Sequence, residues 1–380
     1  MRRAFAAGVT GLLLLELANV YFIMPMPGSQ RVPSVDAAFW IHGWRWPLRA
    51  LCVALIVAGA RHAWATSGRR RWFVPASLLL VAGVAYVTNF RMSADHLFRQ
   101  PNPLRMVSVS RSTVSLDRLV VGVAINDDAR AYPLQFIGYH HQVVDTVGGV
   151  PLLVSYCTVC RTGRVFSPLV EGRAEVFRLV GMDHFNAMLE DRSTGSWWRQ
   201  ANGEAITGRR RGTRLRELPR VQVTLREWLA THPRTLVMQA DTSFADEYAK
   251  DYAFERGTSR KRLTGTDTAS WHEKSWVVGV TVNRQSKAYD WNRLRRERVI
   301  NDVVAGVPIV IALGGDSSSF FAFERPDSAT RFAWRGDSLV SPAHSYSTSG
   351  AGQGASLAAV NASQEFWHSW REFQPGTLRY

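Results

Sequence analysis

Long apolar runs fill the first 90 positions of the chain, and short alternating segments follow them. Residues 4–28 contain only one charged residue, Glu16, and residues 50–60 and 72–90 contain none. A helix needs about 20 apolar residues to cross a bilayer core. We therefore predict a membrane anchor over residues 1–92 with about three transmembrane helices. The second is extended at its ends if Arg45, Arg49 and Arg61 snorkel towards the membrane surface.

Basic residues flank these runs unevenly. Arg2 and Arg3 precede the first run, and Arg61 and Arg69–Arg71 lie between the second and the third. Such clusters stay on the cytoplasmic side of a membrane. We therefore expect a cytoplasmic N-terminus and an extracytoplasmic main domain after about residue 91. Glu16 in mid-run is interpreted as a contact between helices rather than an ion path.

Past residue 100 the pattern favours strands, with short apolar or alternating segments separated by Gly, Asp and Asn turns. The predicted strands are Leu119–Ile125, Val150–Tyr156, Arg164–Val170, Ala174–Val180, Ser275–Val282 and Val307–Leu313. Helices are predicted over Leu225–Thr231 and Ala358–Phe373, and a mobile loop over residues 345–356. The expected fold class is N-terminal transmembrane α-helices followed by a β-rich α+β domain.

An internal repeat divides that domain. "VVGVAINDDARAY", from residue 120, matches "VVGVTVNRQSKAY", from residue 277, and "VVDTVGGVPLLVSYC" matches "INDVVAGVPIVIALG" at the same offset of 157 residues. Such self-similarity indicates a duplicated unit. We predict two diverged repeats, over residues 93–270 and 271–380.

The composition narrows the class of partner. The 380 residues are 46% hydrophobic, which supports a sizeable core. The net charge of +15 comes from short arginine clusters without a recognition motif, so nucleic acid is not expected as a partner. The lipid bilayer is the expected partner, with a small molecule or metal ion as a further one. Nothing in the sequence indicates the oligomeric state.

The segment "SYCTVCRTG" places Cys157 and Cys160 at the end of an apolar strand. Such a pair can be a redox couple, part of a metal site or a disulfide, and a disulfide is the default outside the cytoplasm. A CxxC disulfide closes a very short ring and stabilises little, which favours an active role. A strand rather than a helix is predicted to follow, so thiolate character would have to come from Arg161, Arg164 or a histidine.

The repeat serves as a control for function. Gly314 and Ser317 occupy the positions of the two cysteines in the second copy, and Glu297 and Arg298 occupy those of His140 and His141. The thiols and the neighbouring histidines are thus lost together, as expected for parts of one site. We name Cys157, Cys160 and His140 as candidate catalytic residues.

The same residues are candidate metal ligands. Zinc takes about four ligands, of which Cys157 and Cys160 supply two and His140 and His141 are candidates for the others. His184 in "GMDHFN" is a further binding candidate. Two thiolates alone would suit Cu(I). The expected cofactor, if there is one, is copper or zinc.

"EDRSTGSWWRQANGEAITG", from residue 190, gathers polar and aromatic residues around tight turns. Asp191, Arg192, Trp198 and Gln200 are candidate binding residues, because such loops often line pockets. The alternative is a hairpin with a capping aspartate and a core tryptophan.

These motifs together resemble a bacterial family of unknown function, DUF3179. The resemblance rests on "ARAYPLQFIGYHHQVVDTVGGVPLLVSYCTVCRTGRVF", on the "EDRSTGSWWRQ" segment and on "LREWLATHPRTLVM". It implies that Cys157, Cys160 and a histidine near residue 140 are family features, and that the membrane is a bacterial inner membrane. His141 stands where the family commonly has Glu, and Thr158 and Val159 stand where it has Pro and Leu.

Two functions follow as hypotheses. The first is a membrane-anchored extracytoplasmic protein with a thiol-redox or soft-metal site at Cys157 and Cys160. The second is a non-enzymatic envelope binding or assembly module in which the CxxC is a structural disulfide. The sequence does not decide whether the protein is an enzyme.

Overall fold

The computed structural model describes residues 1–380. Its helices are α1 Arg2–Tyr21, α2 Val35–Thr66, α3 Phe73–Tyr86, α4 Ala94–Leu97, α5 Leu134–His140, α6 Leu225–Thr231, α7 Trp291–Glu297 and α8 Trp367–Phe373. Three helical stretches are long and apolar enough to cross a membrane, namely Arg2–Tyr21, Val35–Thr66 and Gly68–Arg91. The predicted N-terminal helices are therefore confirmed.

The strands are short and follow residue 105. They are β1 Met106–Ser108, β2 Leu119–Ile125, β3 Asp128–Pro133, β4 Gln142–Val147, β5 Val150–Cys157, β6 Thr162–Phe166, β7 Leu169–Val170, β8 Arg173–Ala174, β9 Phe177–Asp183, β10 Asn186–Asp191, β11 Trp197–Arg199, β12 Val221–Thr224, β13 Leu236–Met238, β14 Trp276–Val282, β15 Gln285–Asp290, β16 Val299–Val304, β17 Val307–Leu313, β18 Phe320–Glu324, β19 Ala333–Arg335, β20 Ser338–Val340, β21 Ser345–Tyr346, β22 Ala351–Gly352, β23 Ala355–Ser356, β24 Ala362–Phe366 and β25 Leu378–Arg379. The predicted β-rich class is confirmed.

The chain forms two compact units. The first comprises residues 1–99, 176–199 and 204–213, and the second comprises residues 100–175, 200–203 and 214–380. The first unit therefore contains the long helices together with the three-stranded antiparallel sheet β11-β10-β9. Ile23 and Ala38 pack with Val180, Met188 and Trp197 in one apolar cluster of this unit.

Close packing and polar contacts join the long helices. Gly8 allows α1 to approach α2, because a Cβ at this position would lie 2.6 Å from the carbonyl oxygen of Cys52. Arg49 donates to both carboxylate oxygens of Glu16, at 2.6 and 2.7 Å, and Asn89 donates to the same carboxylate at 2.7 Å. Glu16 is thus a contact between helices, as the sequence indicates. Arg49 does not snorkel, because pairing with Glu16 satisfies its charge inside the bundle.

In the second unit one order of elements occurs twice. The first series runs β2, β3, α5, β4, β5, β6 and later β12, α6, β13, and the second runs β14, β15, α7, β16, β17, β18 and later β24, α8, β25. In both, the first strand lies between the second strand and the strand that precedes the last helix. We call these the first and second series.

Matching contacts hold each series together. Tyr132 donates to Asp145 at 2.7 Å, and Tyr289 donates to Asp302 at 2.8 Å. The last helix packs a tryptophan ring against a strand glycine, Trp228 on Gly122 in the first series. Trp370 packs on Gly279 in the same way in the second. A side chain at either glycine would collide with the ring, which explains the glycine at both positions.

The predicted strands Arg164–Val170 and Ala174–Val180 are each interrupted, at residues 167–168 and 175–176. Two other predicted segments differ in kind from the structure. The stretch predicted as one helix, Ala358–Phe373, is strand β24 followed by helix α8. Its first half is extended because it pairs antiparallel with β14, with Phe366 opposite Trp276. The segment 345–356, predicted as a mobile loop, forms the short antiparallel strands β21, β22 and β23.

Candidate functional site

The two thiols lie at one end of the hairpin β5–β6. Cys157 is the last residue of β5 and pairs with Thr162, the first residue of β6. Cys160 lies in the turn between them, which Arg161 closes with a left-handed φ of 59°. Both cysteines are fully buried, and no disulfide joins them. The predicted position of the pair at the end of a buried strand is correct.

Burial dominates the electrostatics of Cys160. It raises the pKa of the thiol well above its usual value, and the hydrogen bond and charge of Cys157 raise this pKa further. A hydrogen bond with Ser369 and the charge of Lys274 act in the opposite direction. The two thiols are therefore in direct contact, and the cation beside them belongs to a lysine from the second series.

Lys274 and His368 form one wall of this site. The Lys274 ammonium donates to the carbonyl oxygen of Val159 at 2.7 Å and lies 3.3 Å from His368 Nε2. Burial lowers the pKa of Lys274, whereas the thiols Cys160 and Cys157 raise it. Burial and the neighbouring ammonium lower the pKa of His368 to about 3. His368 is therefore a neutral imidazole at physiological pH.

A buried ion pair supports the opposite wall. Arg164 pairs with Glu365, and their side chains are 4% and 1% exposed. Thr162 and Ser369 each donate to Glu365 Oε2 at 3.0 Å. These hydrogen bonds satisfy the second carboxylate oxygen of Glu365 and hold Ser369 beside Cys160.

The backbone of the CxxC turn is also held by the second series. Phe366 donates its amide to the carbonyl oxygen of Cys160 at 2.9 Å. Arg161 donates to Gln364 at 2.8 Å, and its guanidinium lies 3.7 Å from the centre of the Trp276 ring. Arg161 thus anchors the turn instead of facing the thiols. Of the cations considered from the sequence, Arg164 is within electrostatic reach of Cys160.

The predicted histidines lie at the end of α5. His140 Nε2 is 2.8 Å from the hydroxyl of Tyr248, and its ring packs edge-on to Phe244. His141 follows with a left-handed φ of 61°. Burial lowers the pKa of His141 to about 4, against hydrogen bonds with the backbone of Tyr156 and Gly138. Both histidines are therefore part of the buried structure behind the hairpin.

No three side chains among His, Cys, Asp and Glu in residues 1–380 are grouped so that they could hold a metal ion. The ligand set proposed from the sequence, Cys157, Cys160, His140 and His141, is therefore not gathered as such a group. A tetrahedral zinc site needs about four ligands. Two thiolates alone are enough only for a soft metal ion that accepts few ligands, such as Cu(I).

Residues 101–377 match the model of a protein family described as "Protein of unknown function (DUF3179)". The chain belongs to the DUF3179 family. The match spans the second unit almost entirely and includes both cysteines, which confirms the resemblance seen in the motifs. No curated protein and no solved structure matches the chain.

The DUF3179 segment that begins at residue 190 holds its own turn together. The buried Asp191 accepts hydrogen bonds from the Thr194 amide at 2.6 Å and from Trp198 Nε1 at 2.8 Å. Arg192 is exposed and donates its amide to Val176. This geometry is that of the alternative interpretation, a capped turn with a buried tryptophan.

The two remaining candidates also have structural partners. His184 Nδ1 lies 2.6 Å from Asp183, whose other oxygen accepts from Arg199 at 2.6 Å. Gln200 belongs to the second unit, where it donates to Ser155 at 3.1 Å and to the carbonyl oxygen of Thr162 at 2.9 Å. Gln200 is thus the one residue of the "EDRSTGSWWRQ" segment that supports the thiol hairpin directly.

An open cleft of about 840 Å³ borders Lys274. Its other basic lining residues are Arg260, Lys261, Arg262 and Arg371. Lys274 therefore connects a solvent-facing basic surface with the buried thiols.

Sequence reasoning missed the second-series half of this site. Lys274 lies in the segment "WHEKSW", residues 271–276, which yields no candidate site residue from the sequence, and His368 and Ser369 lie in the stretch predicted as one long helix. The available signal was that Lys274 directly precedes the repeated strand. Its equivalent in the first series is Asp117, a reversal of charge.

Proposed function

We propose that this DUF3179 protein is a membrane-anchored extracytoplasmic thiol protein whose Cys157 and Cys160 cycle between dithiol and disulfide. The observation that carries the proposal is the contact between two buried thiols beside the Lys274 ammonium. A structural disulfide would not need a half-buried cation next to it. The extracytoplasmic location is inferred from the arginines that flank the apolar helices.

The exchange step conserves electrons and atoms. The thiolate of one cysteine of the pair attacks a sulfur of an incoming protein disulfide, and the departing thiolate takes up a proton. The other cysteine then attacks the mixed disulfide, which forms the Cys157–Cys160 bond and releases the second thiol of the substrate. The Cys157–Cys160 pair is oxidised by two electrons and the incoming disulfide is reduced by two. In the reverse direction the pair oxidises a dithiol.

Lys274 and Ser369 have defined roles in this proposal. Lys274 lies within electrostatic reach of both thiols, and Ser369 hydrogen-bonds with Cys160, so both side chains act on the pair, in which one thiol attacks and the other resolves. Because burial keeps the thiolate population of Cys160 low, attack requires the turn to open towards solvent. Opening requires two hydrogen bonds to break. One joins the Lys274 ammonium to the carbonyl oxygen of Val159, and the other joins the Phe366 amide to the carbonyl oxygen of Cys160.

The test is a redox titration of the full-length protein in detergent. A Cys52→Ser background removes the third cysteine, and thiol alkylation read by mass spectrometry counts the reduced form against glutathione buffers. We expect a two-electron transition with a potential above about −300 mV, the upper limit typical of structural disulfides. A disulfide that stays closed below that potential would instead support the structural module.

The second candidate function is the binding of a soft metal ion. It is supported by the contact between two thiols that are both shielded from water. Cu(I) accepts two thiolates, whereas zinc needs further ligands that the site does not group. Metal analysis after loading with Cu(I) or Zn(II), with Cys157→Ser and Cys160→Ser as controls, tests it. One tightly held Cu(I) per chain, lost in both variants, together with a pair that does not exchange with glutathione, would replace the redox proposal.

A further inference from the structure

The first unit contains a groove of about 750 Å³ among the three long helices. Leu12 and Val20 of α1, Val53 of α2, and Ala82 and Tyr86 of α3 provide apolar walls. Polar residues occupy the same groove near the end of α1 and the first half of α2. A long apolar slot with polar groups at one end has the shape of a site for a membrane amphiphile.

The tryptophans of α2 indicate at what depth the polar groups lie. Trp40, Trp44 and Trp46 are 56%, 53% and 66% exposed. Exposed tryptophans on membrane helices mark the level of the lipid head groups. His42 and Arg45 lie among these tryptophans in the sequence, so their side chains belong to the head-group level.

One cation of the groove makes no direct ion pair. Arg49 pairs with Glu16 at 2.6 Å, and Arg178 pairs with Asp95 at 3.0 Å and with Glu190 at 2.6 Å. Glu190 also lies 3.6 Å from His42 Nε2, whereas the guanidinium of Arg45 donates only to the carbonyl oxygen of His42. A phosphate in the groove would give Arg45 a direct anionic partner.

Two buried polar atoms of the groove residues make no hydrogen bond. They are Asn19 Oδ1, an acceptor, and His42 Nδ1, which donates when protonated. Unpaired buried polar atoms are costly, so they indicate a missing partner. The partner must supply an acceptor beside Arg45 and His42 and a donor beside Asn19.

We propose that this groove binds one anionic phospholipid with a hydroxylated head group, such as phosphatidylglycerol. The phosphate accepts hydrogen bonds from Arg45 and His42, a head-group hydroxyl donates to Asn19, and an acyl chain lies along Leu12, Val53 and Tyr86. The proposal is independent of the thiol chemistry, since it uses only residues of the first unit.

The experiment measures lipid retention by native mass spectrometry of the full-length protein. The protein is delipidated in detergent and then offered phosphatidylglycerol or phosphatidylcholine with identical acyl chains. Both lipids carry a phosphodiester, but phosphatidylcholine is zwitterionic and has no hydroxyl in its head group. We expect one retained phosphatidylglycerol, bound about tenfold more tightly than phosphatidylcholine, the effect of about 1.4 kcal/mol.

Variants locate the site. Arg45→Gln should lower phosphatidylglycerol retention about tenfold, the loss of one charge-assisted hydrogen bond. Arg61→Gln, in the same helix but outside the groove, is the matched control and should leave retention unchanged. Asn19→Leu should remove the preference between the two lipids without a change of charge. Equal retention of both lipids by the unmodified protein, or equal effects of Arg45→Gln and Arg61→Gln, would overturn the proposal.

Discussion

The turn after β5 and the turn after β17 occupy equivalent places in the two series, yet they carry different side chains. The first has Cys157 and Cys160 and lies against Phe366 at the start of α8, whereas the second has Gly314 and Ser317. The second turn lies against the start of α6, where the Thr224 amide, the equivalent of the Phe366 amide, donates to the hydroxyl of Ser319. Each series therefore receives the turn of the other at the start of its last helix.

The side chains around the two turns differ in a consistent direction. Lys274 and His368 lie 3.3 Å apart in the wall of the thiol site. Their equivalents, Asp117 and Arg226, form an ion pair of 2.9 Å in which both side chains are 58% exposed. The thiol end thus encloses its polar groups, and the other end leaves them in water. Burial of charged groups costs free energy and is often found at functional sites, which supports a special role for the thiol end.

The largest expected effect concerns the buried ion pair. Arg164 and Glu365 have the apolar residues Phe321 and Val223 as their equivalents. Glu365→Val should lower the free energy of unfolding by about 3–5 kcal/mol, because it leaves the Arg164 cation buried without a partner. Denaturant unfolding of the detergent-solubilised protein measures this change.

The double variant Arg164→Phe with Glu365→Val places at the thiol end the residue types found at the other turn, where Phe321 and Val223 are the equivalents. It should be more stable than Glu365→Val alone, since a buried ion pair can often be replaced by apolar residues. A double variant that loses as much as the sum of both single variants would mean that the two ends tolerate different packing.

A smaller effect is expected from pH. His141 has a pKa of about 4 in the folded protein, below its ordinary value, and its equivalent is Arg298. A histidine whose folded pKa is lowered stabilises fully above the unfolded pKa of about 6.5, and this stability is lost as pH falls towards 4. At pH 5 the unmodified protein should have lost about 2 kcal/mol through His141. His141→Gln should remove this part of the pH dependence, measured as the unfolding free energy at pH 7 and pH 5.

The smallest effect tests the cation beside the thiols. Lys274→Gln should slow alkylation of Cys160 by iodoacetamide at pH 9 by about 3–10-fold, because the ammonium lowers the pKa of this thiol. The rate is measured in the Cys52→Ser background. Asp117→Asn, the equivalent change in the first series, should leave the rate within about twofold, since it lies at the other turn. A similar change in both variants would remove Lys274 from the thiol chemistry.

Much of the scaffold could be predicted from the sequence because its signals are local. The offset of 157 residues places Leu119–Ile125 on Trp276–Val282, and both are strands with the same burial pattern. The apolar runs predict the long helices, and helix Leu225–Thr231 has the predicted bounds. The predicted strands Arg164–Val170 and Ala174–Val180 leave residues 171–173 between them, and Glu171 and Gly172 there adopt the left-handed φ angles of a turn.

The thiol site could be predicted only in part, because its walls come from distant segments. Cys157 and Cys160 are visible as a motif, but Ser369, which hydrogen-bonds with Cys160, lies more than 200 positions away in α8, directly after β24. These two elements correspond to β12 and α6 at an offset of 142 residues, which the offset of 157 does not reveal. From the sequence, His140 and His141 are instead predicted to belong to the thiol site, because they are the histidines nearest to it along the chain. In the structure both are buried behind the hairpin and serve the packing there.

The exchange of turns between the series has an evolutionary consequence. Gln222 and Gln364, equivalent residues of β12 and β24, meet at a hydrogen bond of 3.2 Å, as positions beside a twofold axis would. If both series descend from one ancestral copy, that copy on its own had no turn to cover the start of its last helix. A symmetric homodimer would have supplied it, with two identical turns and two identical sites. Fusion of two such genes would then have allowed one turn to acquire or keep its cysteines while the other lost them, so that a symmetric assembly would have become a chain with a single thiol centre.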